Sequence, residues 1–173
     1  WELGMTGTMT IEGNIISENG AAASDGICVY TVGARPDAEN PERGLHITDN
    51  IIGAWFFWYD EVYNSGVGGN LDDGIEIYQV LPAAAVNIDG NIISENEGDG
   101  IDFGKAWSIQ GSVAITDNII GAWTCSEYGG EMPRYGDGEP IYSHRLYCNW
   151  GHGLYIFGIA YSGDLLIEGN TIS

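Results

Sequence analysis

The feature that most constrains this fold is a short motif, named line A here, that recurs five times without gaps. Its pattern is apolar-x-Ile-x-x-Asn-x-Ile, and its copies lie at 9–16, 45–52, 86–93, 113–120 and 165–172. The first two apolar positions are two residues apart, which is the period of a β-strand, whereas a helical stripe needs spacings of three and four. Glycine or aspartate followed by asparagine then marks a bend after the strand.

A second motif, named line B, recurs between the copies of line A. It begins with Asp-Gly or His-Gly, and an alternating strand pattern follows at 25–29, 73–77, 99–103 and 152–156. The path from line B to the next line A has a nearly constant length, whereas the path from line A to line B varies widely. Constant strands with insertions at one corner are typical of a solenoid.

The two lines predict an all-β fold, a right-handed parallel β-helix, in which each strand pairs with its own copy one coil away. The shortest coil runs from Asn91 to Asn118 and has 27 residues, a suitable length for a single β-helix coil. Isoleucines are expected to line the interior, and the asparagines of line A to form a ladder of hydrogen-bonded amides. The ladder residues are Asn14, Asn50, Asn91, Asn118 and Asn170.

The whole chain, residues 1–173, is predicted to be a single β-helix domain with two long insertions. The insertions, at about 53–73 and 121–152, both begin with Gly-Ala-Trp and leave from the same corner of coils two apart. Because the sequence begins and ends within the repeat pattern, we expect a segment of a longer repeat protein. The alternative is that copies stack end to end into a filament, since uncapped coils expose strand edges.

Aromatic residues are concentrated in the two insertions. One interpretation is a small satellite core that tethers the loops, and the other is an exposed surface that binds sugar rings or a protein partner. The candidate binding residues are Trp55, Phe56, Trp58, Tyr59, Trp123, Tyr128, Tyr135 and Trp150.

The repeat resembles the parallel β-helix repeat family, which includes pectate-lyase-like proteins, NosD-like proteins and many repeat-bearing surface proteins of bacteria and archaea. The resemblance covers nearly the whole chain apart from about 124–151, and it implies the fold rather than a specific ligand. Leucine-rich repeats also place an asparagine after a strand, but they need a denser leucine pattern than this chain has. The family implies a secreted or cell-surface protein.

The charge balance narrows the possible partners. The net charge is −20, with only 5 Lys and Arg residues, so nucleic acid and anionic membrane surfaces would be repelled. An acidic polysaccharide such as pectate would need a basic cleft, for which few cations are available. No membrane insertion is expected, because no stretch approaches ~18 uninterrupted apolar residues. The acidity fits either a solvated surface or cation binding.

Calcium is the cofactor that the composition allows, because its ligands are mainly carboxylates. The stretch 97–103 resembles one calcium-binding nonapeptide unit, although such units work in tandem and this one is alone. The candidate calcium ligands are Asp72, Asp73, Asp99, Asp102, Asp137 and Glu139.

The three cysteines leave two alternatives open. Cys125 and Cys148 lie in one irregular segment and are candidates for a disulfide in an oxidising compartment. Cys28 would then be an unpaired cysteine. The alternative is three reduced thiols.

Two functional classes fit these features. The polygalacturonase family carries Asn-Thr-Asp, Asp-Asp, Gly-His-Gly and Arg-Ile-Lys in order, and only Asp72-Asp73 and the Gly-His-Gly around His152 are similar here. The repeat alone explains Asp73 and His152, since both precede a line B glycine. The sequence therefore favours a non-enzymatic structural or binding segment of an extracellular protein, with roles in envelope or matrix architecture, adhesion or filament assembly. A polysaccharide hydrolase or lyase that uses Asp72, Asp73 and His152 is the alternative.

Overall fold

The computed structural model describes residues 2–3, 8–17, 19, 24–33, 44–53, 55–59, 62–66, 69–104, 109–121, 123–124, 145–146, 149–160 and 162–173. All regular secondary structure in these residues is β. They contain no helix of the length and apolarity that a membrane span requires. The described strands are β1 (Glu2–Leu3), β2 (Met9–Glu12), β3 (Ile15–Ile16), β4 (Ile27–Val29), β5 (Thr31–Val32), β6 (Gly44–Thr48), β7 (Ile51–Gly53), β8 (Trp55–Tyr59), β9 (Val62–Gly66), β10 (Ile75–Ile77), β11 (Ala85–Asp89), β12 (Ile92–Ser94), β13 (Ile101–Phe103), β14 (Ser112–Thr116), β15 (Ile119–Ile120), β16 (Trp123–Thr124), β17 (Arg145–Leu146), β18 (Leu154–Ile156), β19 (Asp164–Glu168) and β20 (Thr171–Ile172).

Three parallel sheets run along the stack, and each is built from equivalent strands of successive coils. Line B forms the sheet β18-β13-β10-β4. The first strand of line A forms β19-β14-β11-β6-β2, and the strand after the asparagine forms β20-β15-β12-β7-β3. Single parallel bridges join Val32 to Val80, Val80 to Ile109 and Ile109 to Ile159 as a further column. The predicted all-β class and parallel pairing are confirmed, and the arrangement is consistent with a parallel β-solenoid.

The strand register places isoleucine over isoleucine inside the stack. Ile88 is paired with Ile47 on one side and Ile115 on the other, and all three are 0% exposed. Because side chains alternate across a strand, every second residue of each line points inward. β-Branched residues suit such strands, and burial of each side chain stabilises the fold by about 1.5–3 kcal/mol.

Burial falls at the last coil. Ile167 and Ile172 continue two interior columns, yet they are 45% and 47% exposed. Their neighbours Ile115 and Ile120 are 0% exposed. In the described residues, β19 and β20 have a neighbouring coil on one side only.

The bend in line A explains why glycine and aspartate alternate before the asparagine. This position has a positive φ in every coil, 65° at Gly13, 55° at Asp49, 64° at Gly90, 54° at Asp117 and 70° at Gly169. Glycine tolerates the left-handed region without strain, and aspartate is one of the few other residues that visit it routinely.

Both insertions leave the coil as antiparallel ribbons. β8 pairs with β9, with Trp55 opposite Gly66, and β16 pairs with β17, with Trp123 opposite Leu146. The chain has rejoined the coil by Asn70 and Asn149, which are 0% and 5% exposed and precede the predicted ends of the insertions. That residues 1–173 form one domain stays a prediction.

Candidate functional site

The expected asparagine ladder runs along the bend of line A. Each side-chain Nδ2 donates to Oδ1 of the asparagine in the next coil. The distances are 3.2 Å from Asn14 to Asn50, 3.0 Å from Asn50 to Asn91, 2.9 Å from Asn91 to Asn118 and 2.9 Å from Asn118 to Asn170. The backbone N–H of the first four donates to the same Oδ1 atoms at 2.9–3.0 Å.

These amides are satisfied in both directions, which explains their burial. The Nδ2 of Asn91 also donates to the carbonyl oxygen of Ile47 in the preceding coil at 2.8 Å, and Asn118 does the same to Ile88 at 2.8 Å. Asn91 and Asn118 are 0% and 1% exposed. An amide has two donors and an accepting oxygen, so the ladder leaves none of these groups without a partner.

A second asparagine ladder, which the sequence interpretation missed, lies just before line B. Nδ2 of Asn19 donates to Oδ1 of Asn70 at 2.8 Å, Asn70 to Asn96 at 2.7 Å, and Asn96 to Asn149 at 2.9 Å. Asn70, Asn96 and Asn149 each stand five residues before the first apolar residue of line B. That spacing is a usable sequence signal, although Asn19 departs from it.

A third polar column stands at the start of line B and uses carboxylates. Oδ1 of Asp25 accepts the backbone N–H of Asp73 at 3.3 Å, and Oδ1 of Asp73 accepts that of Asp99 at 2.6 Å. Oδ1 of Asp99 accepts the backbone N–H of His152 at 2.5 Å and contacts its ring Nδ1 at 3.0 Å. Asp73 and His152, the two candidate catalytic residues from line B, therefore hold equivalent places in one column.

The glycine after each aspartate is required by the close approach of the coils. A Cβ at Gly74 would stand 2.6 Å from the carbonyl oxygen of Gly100, and one at Gly100 would stand 2.5 Å from that of Gly153. No side chain fits at these distances, so the Asp-Gly pair reflects packing as well as turn preference.

The outer face of the line B sheet gathers carboxylates from neighbouring coils. Glu76 is paired in register with Cys28 on one side and Asp102 on the other. Ligand atoms of Asp73, Glu76 and Asp102 lie within 4.8 Å of one another. Ligand atoms also lie within 4.8 Å of one another in two further groups, Asp25 with Asp72 and Asp73, and Asp25 with Cys28 and Glu76.

The structure thus brings together three of the predicted calcium ligands, Asp72, Asp73 and Asp102, within these overlapping groups. Asp99 adjoins them through its hydrogen bond to Asp73. Asp137 and Glu139 lie outside the described residues. The sequence interpretation missed Asp25 and Glu76, although strand alternation predicts that Glu76 faces outward.

The crowding of carboxylates raises their pKa values. Burial raises the pKa of Asp73 to about 7, against the lowering effect of the Asp99 backbone hydrogen bond, and repulsion from Asp72, Asp102 and Asp99 raises it further. Burial also raises the pKa of Asp102 to about 6, with repulsion from Asp99 and other carboxylates adding to it. Burial is also the largest cause of the raised pKa values of Glu76 and Asp72. This face favours a proton or a cation over full ionisation.

Cys28 is a free thiol at the edge of this group. Its Sγ lies 3.6 Å from Oε2 of Glu76. Desolvation, followed by the hydrogen bond and the charge of Asp25, raises the pKa of this thiol to about 12. Cys28 therefore stays protonated at neutral pH. Cys125 and Cys148 lie outside the described residues, so their disulfide stays a prediction.

Aromatic rings flank the carboxylates. The rings of Tyr30 and Tyr78 stack with centroids 4.7 Å apart, and Tyr155 stands 5.1 Å from the ring of His152 and 6.5 Å from that of Phe157. Strand alternation would have predicted Tyr155 on the outer face, but the sequence interpretation emphasised the insertions instead.

Of the predicted binding residues, Trp150 alone has a described side chain, and it is 77% exposed. The strands β8 and β16 carry the next five, whose side chains lie outside the described part of the chain. These five are Trp55, Phe56, Trp58, Tyr59 and Trp123. Tyr128 and Tyr135 also lie outside it.

Comparison of the chain with protein-family models, with curated proteins and with solved structures found no match. The function therefore has to be inferred from the geometry of the chain itself.

Proposed function

We propose that this chain is a non-enzymatic structural and binding segment of a right-handed parallel β-helix protein that acts outside the cell or at its surface. The observation that carries the proposal is that repeated polar side chains form hydrogen bonds between successive coils. Two asparagine ladders and an aspartate column are engaged in hydrogen bonds from coil to coil. Right-handedness is supported by the strong preference of parallel strand crossovers for that hand.

The ladders support a mechanical role. Each coil is joined to its neighbours by parallel strand pairing and again by side-chain bonds such as Asn50 to Asn91 at 3.0 Å. A hydrogen bond of this kind contributes about 0.5–1.5 kcal/mol, and breaking one inside the stack leaves a buried group unsatisfied. Such a scaffold suits envelope or matrix architecture, adhesion or filament assembly.

The binding role is assigned to the aromatic residues at the insertion corner. Loops carried on a rigid scaffold are where recognition usually resides, and aromatic rings suit sugar rings and protein partners. The exposure of Trp150, 77%, supports this assignment. With a net charge of −20, the chain favours a neutral or basic partner over an anionic one. Head-to-tail self-association is a second proposed interaction, because equivalent coils of a parallel stack can pair with further coils through the same strand register.

A glycan array with the whole chain tests the binding role. We expect retention of neutral or basic glycans without release of reducing ends or unsaturated sugars. Trp150→Ala should weaken retention, whereas Leu71→Ala, which changes another exposed apolar residue, 37% exposed, should leave it unchanged. Turnover of a retained glycan would contradict the proposal, as would equal retention by both variants.

A carbohydrate-active enzyme is the second candidate, and one observation favours it. Asp73, with its pKa raised to about 7, lies beside Glu76 and Asp102, and a protonated carboxyl next to an ionised one is the arrangement that glycoside hydrolysis uses. Against it, Asp73 is 8% exposed and accepts the Asp99 N–H. Release of reducing ends or unsaturated sugars that Asp73→Ala or His152→Ala abolishes would favour this candidate.

A further inference from the structure

We propose that a basic polypeptide docks on the outer face of the line B sheet and inserts an arginine side chain at Gly104, between the coil of Tyr78 and the coil of Phe157. The position at which Gly104 carries no side chain is named the notch here. This surface is distinct from the insertion corner, and the inference goes beyond the scaffold and glycan-binding roles.

A column of aromatic residues follows the line B strands on their outer side. The register that pairs Glu76 with Asp102 aligns one position in four successive coils, and its occupants are Tyr30, Tyr78, Gly104 and Phe157. Tyr30 and Phe157 are 53% and 57% exposed, and Tyr78 is half-buried. Exposed aromatic residues that line up on one face of a protein indicate an interaction surface.

The orientation of the rings restricts what this column can bind. The rings of Tyr30 and Tyr78 stack with centroids 4.7 Å apart and planes inclined by 9°. Because this separation equals the spacing of neighbouring strands, the ring faces are turned toward adjacent coils and the edges toward solvent. A sugar ring packs flat against an aromatic face, so it fits such a column poorly, whereas a flat group can enter between two of its members.

Gly104 leaves room for a flat group. Tyr78 and Phe157 belong to coils two steps apart, which is about 9.6 Å at ~4.8 Å per strand. A group midway between these two positions would lie about 4.8 Å from each, within the ~6 Å over which a cation is attracted to an aromatic ring. The notch therefore has the dimensions of a site for a planar cation.

Negative charge borders the notch. The atoms nearest to a Cβ placed at Gly104 are the two carboxylate oxygens and the Cγ of Asp102. A second carboxylate stands beside the column, because the Tyr78 hydroxyl donates a hydrogen bond to Glu76. The chain as a whole has 25 Asp and Glu residues against 5 Lys and Arg. Charge complementarity therefore favours a basic partner on this face.

Arginine fits the notch better than lysine does. Its guanidinium is planar, stacks on aromatic rings and presents several N–H donors to one carboxylate. The lysine ammonium is a compact and strongly hydrated charge that cannot stack in the same way. The aromatic column and the carboxylate of Asp102 therefore point to an arginine of the partner, with the rings supplying selectivity and the carboxylate supplying attraction.

The test measures binding of labelled peptides to the whole chain by fluorescence anisotropy at neutral pH and constant ionic strength. The peptides differ only in whether their basic positions hold arginine, lysine or citrulline, which is planar like arginine but uncharged. We expect saturable binding of the arginine peptide, binding about two- to fivefold weaker for the lysine peptide, and no measurable binding of the citrulline peptide. A glucosamine oligomer should compete poorly. Equal affinity for arginine and lysine, or displacement of the arginine peptide by an equal concentration of the oligomer, would overturn the proposal.

Matched variants locate the site. Gly104→Phe fills the notch with a ring, and it is compatible with the fold because Gly104 has no positive φ and the nearest atoms belong to the side chain of Asp102. We expect it to weaken binding of the arginine peptide by about fivefold or more and to remove the preference over lysine. Leu166→Phe places the same ring on the outer face of β19, where Leu166 is 49% exposed, and should bind as the parent chain does.

A second variant keeps the proposal falsifiable if Gly104→Phe lacks the far-UV circular dichroism spectrum of the parent chain. Phe157→Leu removes one ring but retains apolar bulk, and it should weaken binding of the arginine peptide by about two- to fivefold. Parent-like affinity in a folded Gly104 variant or in the Phe157 variant would overturn the proposal, as would an equal loss in the Leu166 variant.

Discussion

The asparagine ladder of line A and the aspartate column of line B use one geometry with opposite electrostatic consequences. In both, a side-chain oxygen accepts the backbone N–H of the equivalent residue in an adjacent coil. An amide also donates and carries no charge, so Asn91 is fully buried with all its groups paired. A carboxylate only accepts and carries a charge, so burial first, and then repulsion from neighbouring carboxylates, raises the pKa of Asp73.

The difference separates the part of the molecule that holds the coils together from the part that is available to bind. Neutral ladders increase stability with each coil, whereas the carboxylates on the line B face lower stability when all are ionised. Local arrangements that oppose stability are concentrated at functional sites in proteins. The line B carboxylates are therefore a candidate cation-binding surface, distinct from the insertion corner to which glycan binding is assigned.

The largest expected effect comes from breaking the asparagine ladder. Asn91→Ala leaves the backbone N–H and Nδ2 of Asn50 without their acceptor inside the stack. Each unsatisfied buried group costs about 1–3 kcal/mol, so the loss of both acceptors should lower the free energy of unfolding by about 2–6 kcal/mol. Urea denaturation of the parent chain and the variant measures this loss of stability. Asn14→Ala, at the exposed end of the ladder, is the control and should cost less than half as much; equal losses would refute the distinction.

Replacing an aspartate of the column by asparagine should instead stabilise the protein. Asp73→Asn removes one charge among Asp72, Asp99 and Asp102 while its Oδ1 can still accept the Asp99 N–H. We expect the free energy of unfolding at pH 8 in EDTA to rise by about 1 kcal/mol. Denaturant titration gives the value. A loss of stability as large as that of Asn91→Ala would mean that the two columns do not differ.

The pH dependence of stability sharpens the same comparison. The folded-state pKa values of Asp73 and Asp102, about 7 and about 6, lie above the ordinary value, and those of Glu76 and Asp72 are also raised. The folded state therefore binds more protons than the unfolded state. Stability from these groups is complete below the ordinary carboxyl pKa, about 4, and is lost as the pH rises through 6 and 7.

In EDTA, the thermal unfolding midpoint should accordingly fall between pH 5 and pH 8. The charged or titratable groups that face these carboxyls are Asp25, Asp99, Cys28, Tyr78 and His152. Asp73→Asn should flatten the profile. A midpoint that stays constant or increases over this range in the parent chain would contradict the assignment.

The smallest effect concerns Cys28. Its pKa of about 12 leaves almost no thiolate at pH 8, so alkylation by iodoacetamide should be slow despite its exposure. Mass spectrometry of partially alkylated protein follows the reaction, with a small thiol peptide as the reference. Glu76→Gln removes one neighbouring charge and should accelerate it; Cys28→Ser should change stability by less than about 0.5 kcal/mol. Alkylation as fast as that of the free peptide would contradict the raised pKa.

The sequence predicted the features that depend on one position repeated at nearly fixed spacing. The asparagine ladder is one, because pairing of equivalent strands places Asn91 between Asn50 and Asn118 regardless of what lies between the copies. The second ladder was missed because Asn70 and Asn149 were assigned to insertions and Asn19 breaks the spacing. Its members lie where the chain re-enters the coil before line B. Strand periodicity alone does not predict that position.

The carboxylate group was predicted only in part because it depends on contacts between different positions of neighbouring coils. Asp73 and Asp102 were identified individually from composition, but their meeting with Glu76 follows from the outward register of β10 and β13. Chemistry that repeats from coil to coil is visible in the pattern. A site assembled from different positions of neighbouring coils can be identified only from the three-dimensional structure.

The ladders have directions, and the two kinds run oppositely. Each Oδ1 in the line A ladder accepts hydrogen bonds from the coil before it, whereas each aspartate Oδ1 in the line B column accepts one from the coil that follows it. Every internal coil thus presents the same donors and acceptors to the coil that follows it, and the matching acceptors and donors to the coil before it. A gene duplication that inserts whole coils would leave these connections matched, so the length of such a protein can change in evolution without any redesign of its interior.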